Sequence, residues 1–301
     1  MELLEPKPKK NCKSASDFQL PIIFKKDGSV RKLKGTFNDF SVVIENEEDM
    51  KSVVTMGNFG KANLSRNYPQ FCNVKSQIIR ARQYERRKEW AGTAPDKRNV
   101  KKVIVVPDSE EENEDYFVNL KPEYQIDQSG LRETVWLSLE EAFFLTNALN
   151  CLDIFYEDRI LQPEEAWKLF SETDEHFIPN YIAYYYYRTK YWIVKPGIKF
   201  GGDFLLYKQG PAFYHASYVV IIDSINENSE RITSLSRRSM DNVSLTSLNR
   251  LCETAGKELL ILQITWPDNV QVNFNDLSDF TIKEILMRRW IPTQERHTED
   301  V

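Results

Sequence analysis

The sequence predicts an α+β or α/β chain: a small helical N-terminal layer, then a C-terminal mixed β-sheet with one helix packed on it. Three observations carry this. Over residues 131–190 capping signals and apolar residues at helical spacing recur. After Tyr191 the pattern changes to short apolar runs separated by Gly and Pro. Between the last two of those runs lies one further segment with helical spacing. With 41% hydrophobic and 12% aromatic residues, the 301-residue chain can bury a sizeable core, and its length suits one large or two modest domains.

In order, residues 1–34 read as a basic, disordered tail. "MELLEPKPKKNCK" has no apolar h-region of a secretory signal. Its "PKPKK" fits a nuclear-import cluster or, equally, a solvated tail. Residues 35–90 read as a strand/helix element. "FNDFSVVIE" alternates like a strand, "EEDMKSVVTMGNFG" is a short helix stopping at Gly57 or Gly60, and "SQIIRARQYERRKEW" is a charged helix with either a solvated or an RNA-facing side. Residues 91–130 lose periodicity. "PDSEEENEDY" is a like-charge block of the kind that stays disordered, so this is read as a flexible acidic insertion.

Residues 131–190 form the helical subdomain. Ser138 precedes Glu141 by three positions, the pattern of a capping box. Pro163 opens the next helix, where its missing N–H is harmless. "FIPNYIAYYYYRTK" is a third helix, with Ile182, Tyr185 and Tyr186 near one face; its tyrosines suit packing better than base stacking. Residues 191–301 form the α/β domain. "YWIVKPG", "FLLYK", "YHASYVVIID" and "ELLILQITW" are strands, and "DFTIKEILMRRWIP" ends the chain as a β segment. The helix "SLTSLNRLCETAG" presents Leu245, Leu248, Leu251 and Cys252, and Gly256 closes it.

Composition removes several functions. The cysteines (Cys12, Cys72, Cys151, Cys252) are scattered, without CxxC or a histidine at ligand spacing, which argues against a zinc site and a disulfide scaffold and for a reducing compartment. No run of about 18 apolar residues is present to span a membrane. The net charge of −5 does not advertise nucleic-acid binding. Local charge matters more than the average, however. From Arg188 to Lys208 the only acid is Asp203, against five Lys and Arg, a basic strip in an acidic chain.

Within that strip Tyr207 ends a strand, and His215 begins the next after the turn "KQGPAF". Lys257 follows Gly256 at a helix-to-strand junction. A hairpin brings Tyr207 near His215, and a crossing helix can deliver Lys257 to the same edge. Two-metal phosphodiester chemistry needs converging carboxylates, which are missing. Ser217, on the strand face of His215, lacks the elbow that acyl transfer needs. RNA transesterification fits the set: one group takes the ribose 2′-OH proton, another protonates the 5′-oxygen, and a cation steadies the phosphorane. His suits the acid role. Tyr is an awkward base, with roughly one in a thousand ionised at pH 7, unless a nearby ammonium lowers its pKa. Each residue also has a plainer role: a packed tyrosine, a hydrogen-bonded histidine. The residues alone leave an α/β domain with a ribonuclease among its readings.

The stretch "YRTKYWIVKPGIKFGGDFLLYKQGPAFYHASYVV" closely resembles the catalytic-domain signature of tRNA-splicing endonucleases, and so do "LNRLCETAGKELLIL" and "ILMRRWIPTQER". It departs at Tyr191, where the family pattern has Gly at a helix-to-strand turn. The resemblance makes 191–301 a nuclease domain and implies Tyr207 as base, His215 as acid and Lys257 as charge stabiliser, with no cofactor and no metal. It implies Arg250 and Trp290 as a clamp on a base, and Lys199 and Lys208 are suited to the RNA backbone. The partners it implies are an intron-containing pre-tRNA and three further subunits, one catalytic and two structural, in a heterotetramer. "MGNFGKANLSRNYP", "YHASYVVII" and "RRWIPTQER" resemble the eukaryotic subunit that cleaves the 5′ splice site. The alternatives are a 3′-cutting subunit or a non-catalytic scaffold. The implied compartment is the nucleus, or else the cytosolic face of mitochondria.

Overall fold

A computed structural model describes residues 6–9, 20–63, 100–103, 123–126, 133–267 and 272–289. The chain divides into two compact units, Met1–Pro69 with Thr134–Val301, and Gln70–Glu133.

In the larger unit the first layer is not helical alone. It holds a six-stranded mixed sheet in the order β3-β6-β2-β1-β7-β8. Its strands are β1 (Leu33–Phe37), β2 (Val42–Ile44), β3 (Lys61–Ala62), β6 (Val135–Leu137), β7 (Leu152–Tyr156) and β8 (Arg159–Ile160). The single strand expected over "FNDFSVVIE" is two. Asn38 accepts from the Ser41 N–H, Asp39 takes φ 69°, and the chain reverses so that Thr36 faces Val43. Alternation along a sequence does not reveal such a reversal, because an Asn-Asp pair makes a turn within an otherwise strand-like pattern. Order also begins before residue 35: β1 starts at Leu33, and Phe24 bridges Val30.

Among the described residues this layer holds the α-helices α1 (Glu47–Thr55), α2 (Leu139–Phe143), which a π-helical turn Phe144–Ala148 continues, α3 (Pro163–Thr173) and α4 (Phe177–Thr189). Asn46 caps α1, and Ser138 and Glu141 form the capping box of α2. Pro163 is the first residue of α3. On α4 the buried face is Tyr181, Ile182, Tyr184 and Tyr187, not Ile182 with Tyr185 and Tyr186. The aromatic rings are the reason. Phe143 meets Tyr181 edge-on at 4.9 Å and Phe177 at 6.0 Å, with the Trp167 ring tilted against it at 5.1 Å, so α4 turns its largest rings inward.

The second layer is a five-stranded mixed sheet in the order β13-β12-β11-β10-β9. Its strands are β9 (Ile193–Pro196), β10 (Phe204–Tyr207), β11 (Tyr218–Ile225), β12 (Glu258–Thr265) and β13 (Thr281–Met287). All pairs are antiparallel except β11 with β12. That parallel pair needs a crossover, supplied by α5 (Asn242–Thr254), which Asp241 caps and Gly256 closes at φ 64°. Leu245, Leu248 and Cys252 pack on Leu205, Val219, Ile221 and Leu259, whereas Leu251 points outward. The chain is thus α+β with a helix on a mixed C-terminal sheet. Among the described residues no helix is long and apolar enough to cross a membrane.

In the smaller unit β4 (Val100–Val103) pairs antiparallel with β5 (Glu123–Ile126), a hairpin inside the stretch read as aperiodic. The acidic block between these strands and the charged segment 76–90 lie outside the described residues.

Candidate active site

The site is built where three strands end. Leu206 on β10 faces Tyr218 on β11, and Tyr218 faces Glu258 on β12. The antiparallel β10–β11 pair and the parallel β11–β12 pair therefore bring the end of β10 and the starts of β11 and β12 to one edge. Tyr207, Ser217 and Lys257 occupy the next row. The Ser217 N–H donates to the Leu206 carbonyl at 2.9 Å and the Glu258 N–H to the Ser217 carbonyl at 3.0 Å. His215 lies two residues beyond that row, in the loop. The expected start of the strand at His215 is wrong by three residues, since β11 begins at Tyr218.

Tyr207 lies on the face of the sheet covered by α5, half-buried against the Leu205–Val219–Leu259 cluster. Lys257 has the same parity as Leu259 and is half-buried too. Its ammonium sits 4.4 Å over the ring of Phe200 and donates to the Ala255 carbonyl at 3.0 Å. A cation capping the last carbonyls of a helix is favourable there. Burial pushes the Lys257 pKa down, while any Cys252 thiolate would pull it up. Burial pushes the Tyr207 pKa up, and burial is its only resolved cause. Burial rather than a nearby ammonium therefore governs the Tyr207 phenol in this fold. Lys257 points to Phe200 and the end of α5, and this leaves the phenol dominated by its apolar surroundings. His215 is exposed.

The glycines of "KFGGD" fit the turn between β9 and β10. Gly201 has φ 71°, and a Cβ on Gly202 would lie 2.3 Å from a Val219 methyl. Asp203, the acid of the strip, does not face the three residues. It accepts from the Ile222 N–H at 2.8 Å and pairs with Arg238, which also reaches the Gly201 carbonyl. Arg238 gave no signal in the sequence; its partner is set by the fold.

The basic strip is largely dismantled. Arg188 is buried, 4.0 Å over the Phe59 ring, and donates to the Gly57 carbonyl at 2.8 Å. Lys195 pairs with buried Glu141 at 3.0 Å and Lys190 with Glu284 at 3.1 Å. Lys199, in the 3-10 turn Ile198–Phe200, and Lys208 remain exposed; Lys208 lies 5.8 Å from the Tyr214 ring. Arg250 is exposed on α5. Trp290 lies outside the described residues. Phe200 lies under the Lys257 ammonium, a contact that sequence spacing does not signal.

The arrangement offers a phenol, an imidazole and an ammonium at one sheet edge with exposed lysines around it, a set able to move two protons and steady an oxyanion. Residues 177–272 match the family model for the tRNA intron endonuclease, catalytic C-terminal domain. Over 172 residues the chain is 40% identical to tRNA-splicing endonuclease subunit Sen2 of Gallus gallus, covering 56% of this chain and 37% of that protein. It is 34% identical to subunit Sen2-1 of Arabidopsis thaliana, covering 55% of this chain and 68% of the relative. It is 25% identical to a probable subunit sen2 of Schizosaccharomyces pombe, over 86% of this chain and 85% of the relative. The alignment spans well under half of the chicken protein and most of the fission-yeast one. The chain belongs to the tRNA-splicing endonuclease family.

Proposed function

We propose that this chain is a catalytic subunit of a tRNA-splicing endonuclease and cuts an intron-containing pre-tRNA at the 5′ splice site. The observation that carries this is the shared edge of Tyr207 and Lys257 at the end of β10 and the start of β12, with His215 in the loop that leads into β11. Tyrosinate at Tyr207 takes the 2′-OH proton. The 2′-oxygen attacks phosphorus, the P–O5′ bond breaks, and His215 gives its proton to the 5′-oxygen. Lys257 steadies the phosphorane charge. The products are a 2′,3′-cyclic phosphate and a 5′-OH, and no metal takes part in any step. Lys199 and Lys208 meet backbone phosphates, while Arg250 and Trp290 hold an unpaired base, the form in which RNA is usually recognised.

The working enzyme is a heterotetramer with one further catalytic and two structural subunits. β13, at the edge of its sheet with none of its residues buried, is suited to extending a partner's sheet. The compartment proposed is the nucleus.

The test is cleavage of an intron-containing pre-tRNA by the reconstituted four-subunit enzyme in EDTA, wild type against His215→Ala, with end chemistry read at each junction. Loss of the 5′ cut alone supports the reading. Loss of the 3′ cut alone reassigns the junction, and unchanged cleavage at both makes the chain a scaffold.

A further inference from the structure

We propose that the segment Lys7–Lys9 is a positioning strand for His215; the inference rests on the function proposed above. Between Tyr207 and Tyr218 the chain leaves the strand ladder. The Phe213 and Tyr214 N–H groups both fold back on the Gly210 carbonyl, at 3.2 and 3.1 Å. The His215 N–H instead donates to the Lys7 carbonyl at 3.1 Å, and the Lys9 N–H donates to the Phe213 carbonyl at 2.8 Å. Pro8 bridges Tyr214 antiparallel between these two bonds, and the Lys9 ammonium donates to the Pro211 carbonyl.

This geometry suits the residue types. The bonds flank Pro8 and Tyr214, so the bridge is of the kind in which neither central residue donates. Proline lacks an N–H, and this is the position in the pairing where none is needed. The loop has a second seat opposite in sequence: Gly210 takes φ 99°, and a Cβ there would stand 2.7 Å from the Asn58 amide. Two pieces from the first 60 residues thus hold the loop that carries the proposed acid. His215 itself is exposed, so its backbone anchor sets where the imidazole stands. Small displacements of an acid relative to its leaving oxygen carry large rate penalties.

The experiment is single-turnover cleavage by the assembled enzyme, with wild type, Lys9→Pro, Pro8→Ala and His215→Ala. Lys9→Pro removes the N–H that bonds Phe213, and is expected to lower kcat about ten- to hundredfold with KM unchanged. Pro8→Ala keeps the pairing and stays near wild type. A second substrate carries sulfur in place of the 5′-oxygen at the scissile phosphate. Sulfur leaves without a proton, so both Lys9→Pro and His215→Ala should recover on it. Amide exchange at His215 in the isolated chain should be slow in wild type and fast in Lys9→Pro. A dead His215→Ala with a Lys9→Pro enzyme as fast as wild type, or faster, overturns the inference. So does a Lys9→Pro defect that persists on the sulfur substrate, or a His215 amide that exchanges equally fast in both. Full activity of His215→Ala overturns instead the functional reading, and the amide exchange then decides the pairing by itself.

Discussion

The backbone N–H of Glu258 donates to the carbonyl of Ser217 at 3.0 Å. This bond opens the parallel β11–β12 ladder and places Lys257 in the row of Ser217 and Tyr207. The residues come from distant parts of the sequence, yet backbone bonds alone fix the height of all three. That rigidity is what a site on strand ends gains over one on a free loop.

Tyr207 sets the pH dependence. Burial raises its pKa above the ordinary tyrosine value, near 10. On the substrate with sulfur at the 5′-leaving position, which needs no proton from His215, the ionised fraction of Tyr207 alone governs the chemical step, so cleavage should accelerate past pH 9 without levelling at pH 10. Tyr207→Phe should abolish that slope. The same shift affects stability. At pH below about 10 the phenol is neutral in both folded and unfolded chains and contributes no pH dependence. Above that, the unfolded chain loses the proton first, so stability should fall as pH rises toward the folded pKa. Urea midpoints of wild type and Tyr207→Phe between pH 9 and 11 check the sign.

Tyr191 has φ 63° and is 76% exposed, after the last turn of α4. A left-handed backbone costs a non-glycine residue about 1 kcal/mol, and an exposed ring gains little in return. Tyr191→Gly should therefore stabilise the chain by about 0.5–1 kcal/mol, read from denaturant unfolding. A loss of stability would mean that the ring packs in solution.

Lys195 and Glu141 form a buried pair; Glu141 also accepts from the Gly60 N–H and Lys195 donates to the Gly60 carbonyl. Burial lowers the Lys195 pKa, against the opposing pull of Glu141. Lys195→Met strands a carboxylate, and should cost about 3–5 kcal/mol. Lys195→Met with Glu141→Gln should recover much of that in urea unfolding, because the uncompensated charge is gone.

Gly202→Ala would set a methyl 2.3 Å from a Val219 methyl and 2.9 Å from the Val220 carbonyl. Overpacking of this kind costs about 1–3 kcal/mol. Adding Val219→Ala should relieve only part, since the carbonyl cannot be shortened. Thermal midpoints of the two variants and the parent measure it.

The strand after Gly202, the turn, the capping box at Ser138 and the proline at the start of α3 were legible because each is a local pattern. The basic strip misled for the opposite reason. Arg188, Lys190 and Lys195 are adjacent in sequence to exposed Lys199, but their partners Gly57, Glu284 and Glu141 come from elsewhere. Spacing does not record such partners.

The sequence by itself determined the order of strands and helices in the C-terminal domain, and which residue types meet at its turns. It did so because burial periodicity and turn chemistry act between near neighbours. Tertiary structure alone decided three things. It split 37–45 into two strands, chose which cations stay exposed, and set Lys7–Lys9 against the His215 loop. Each depends on which distant backbone or carboxylate arrives first within hydrogen-bond reach, and only the folded chain fixes that distance.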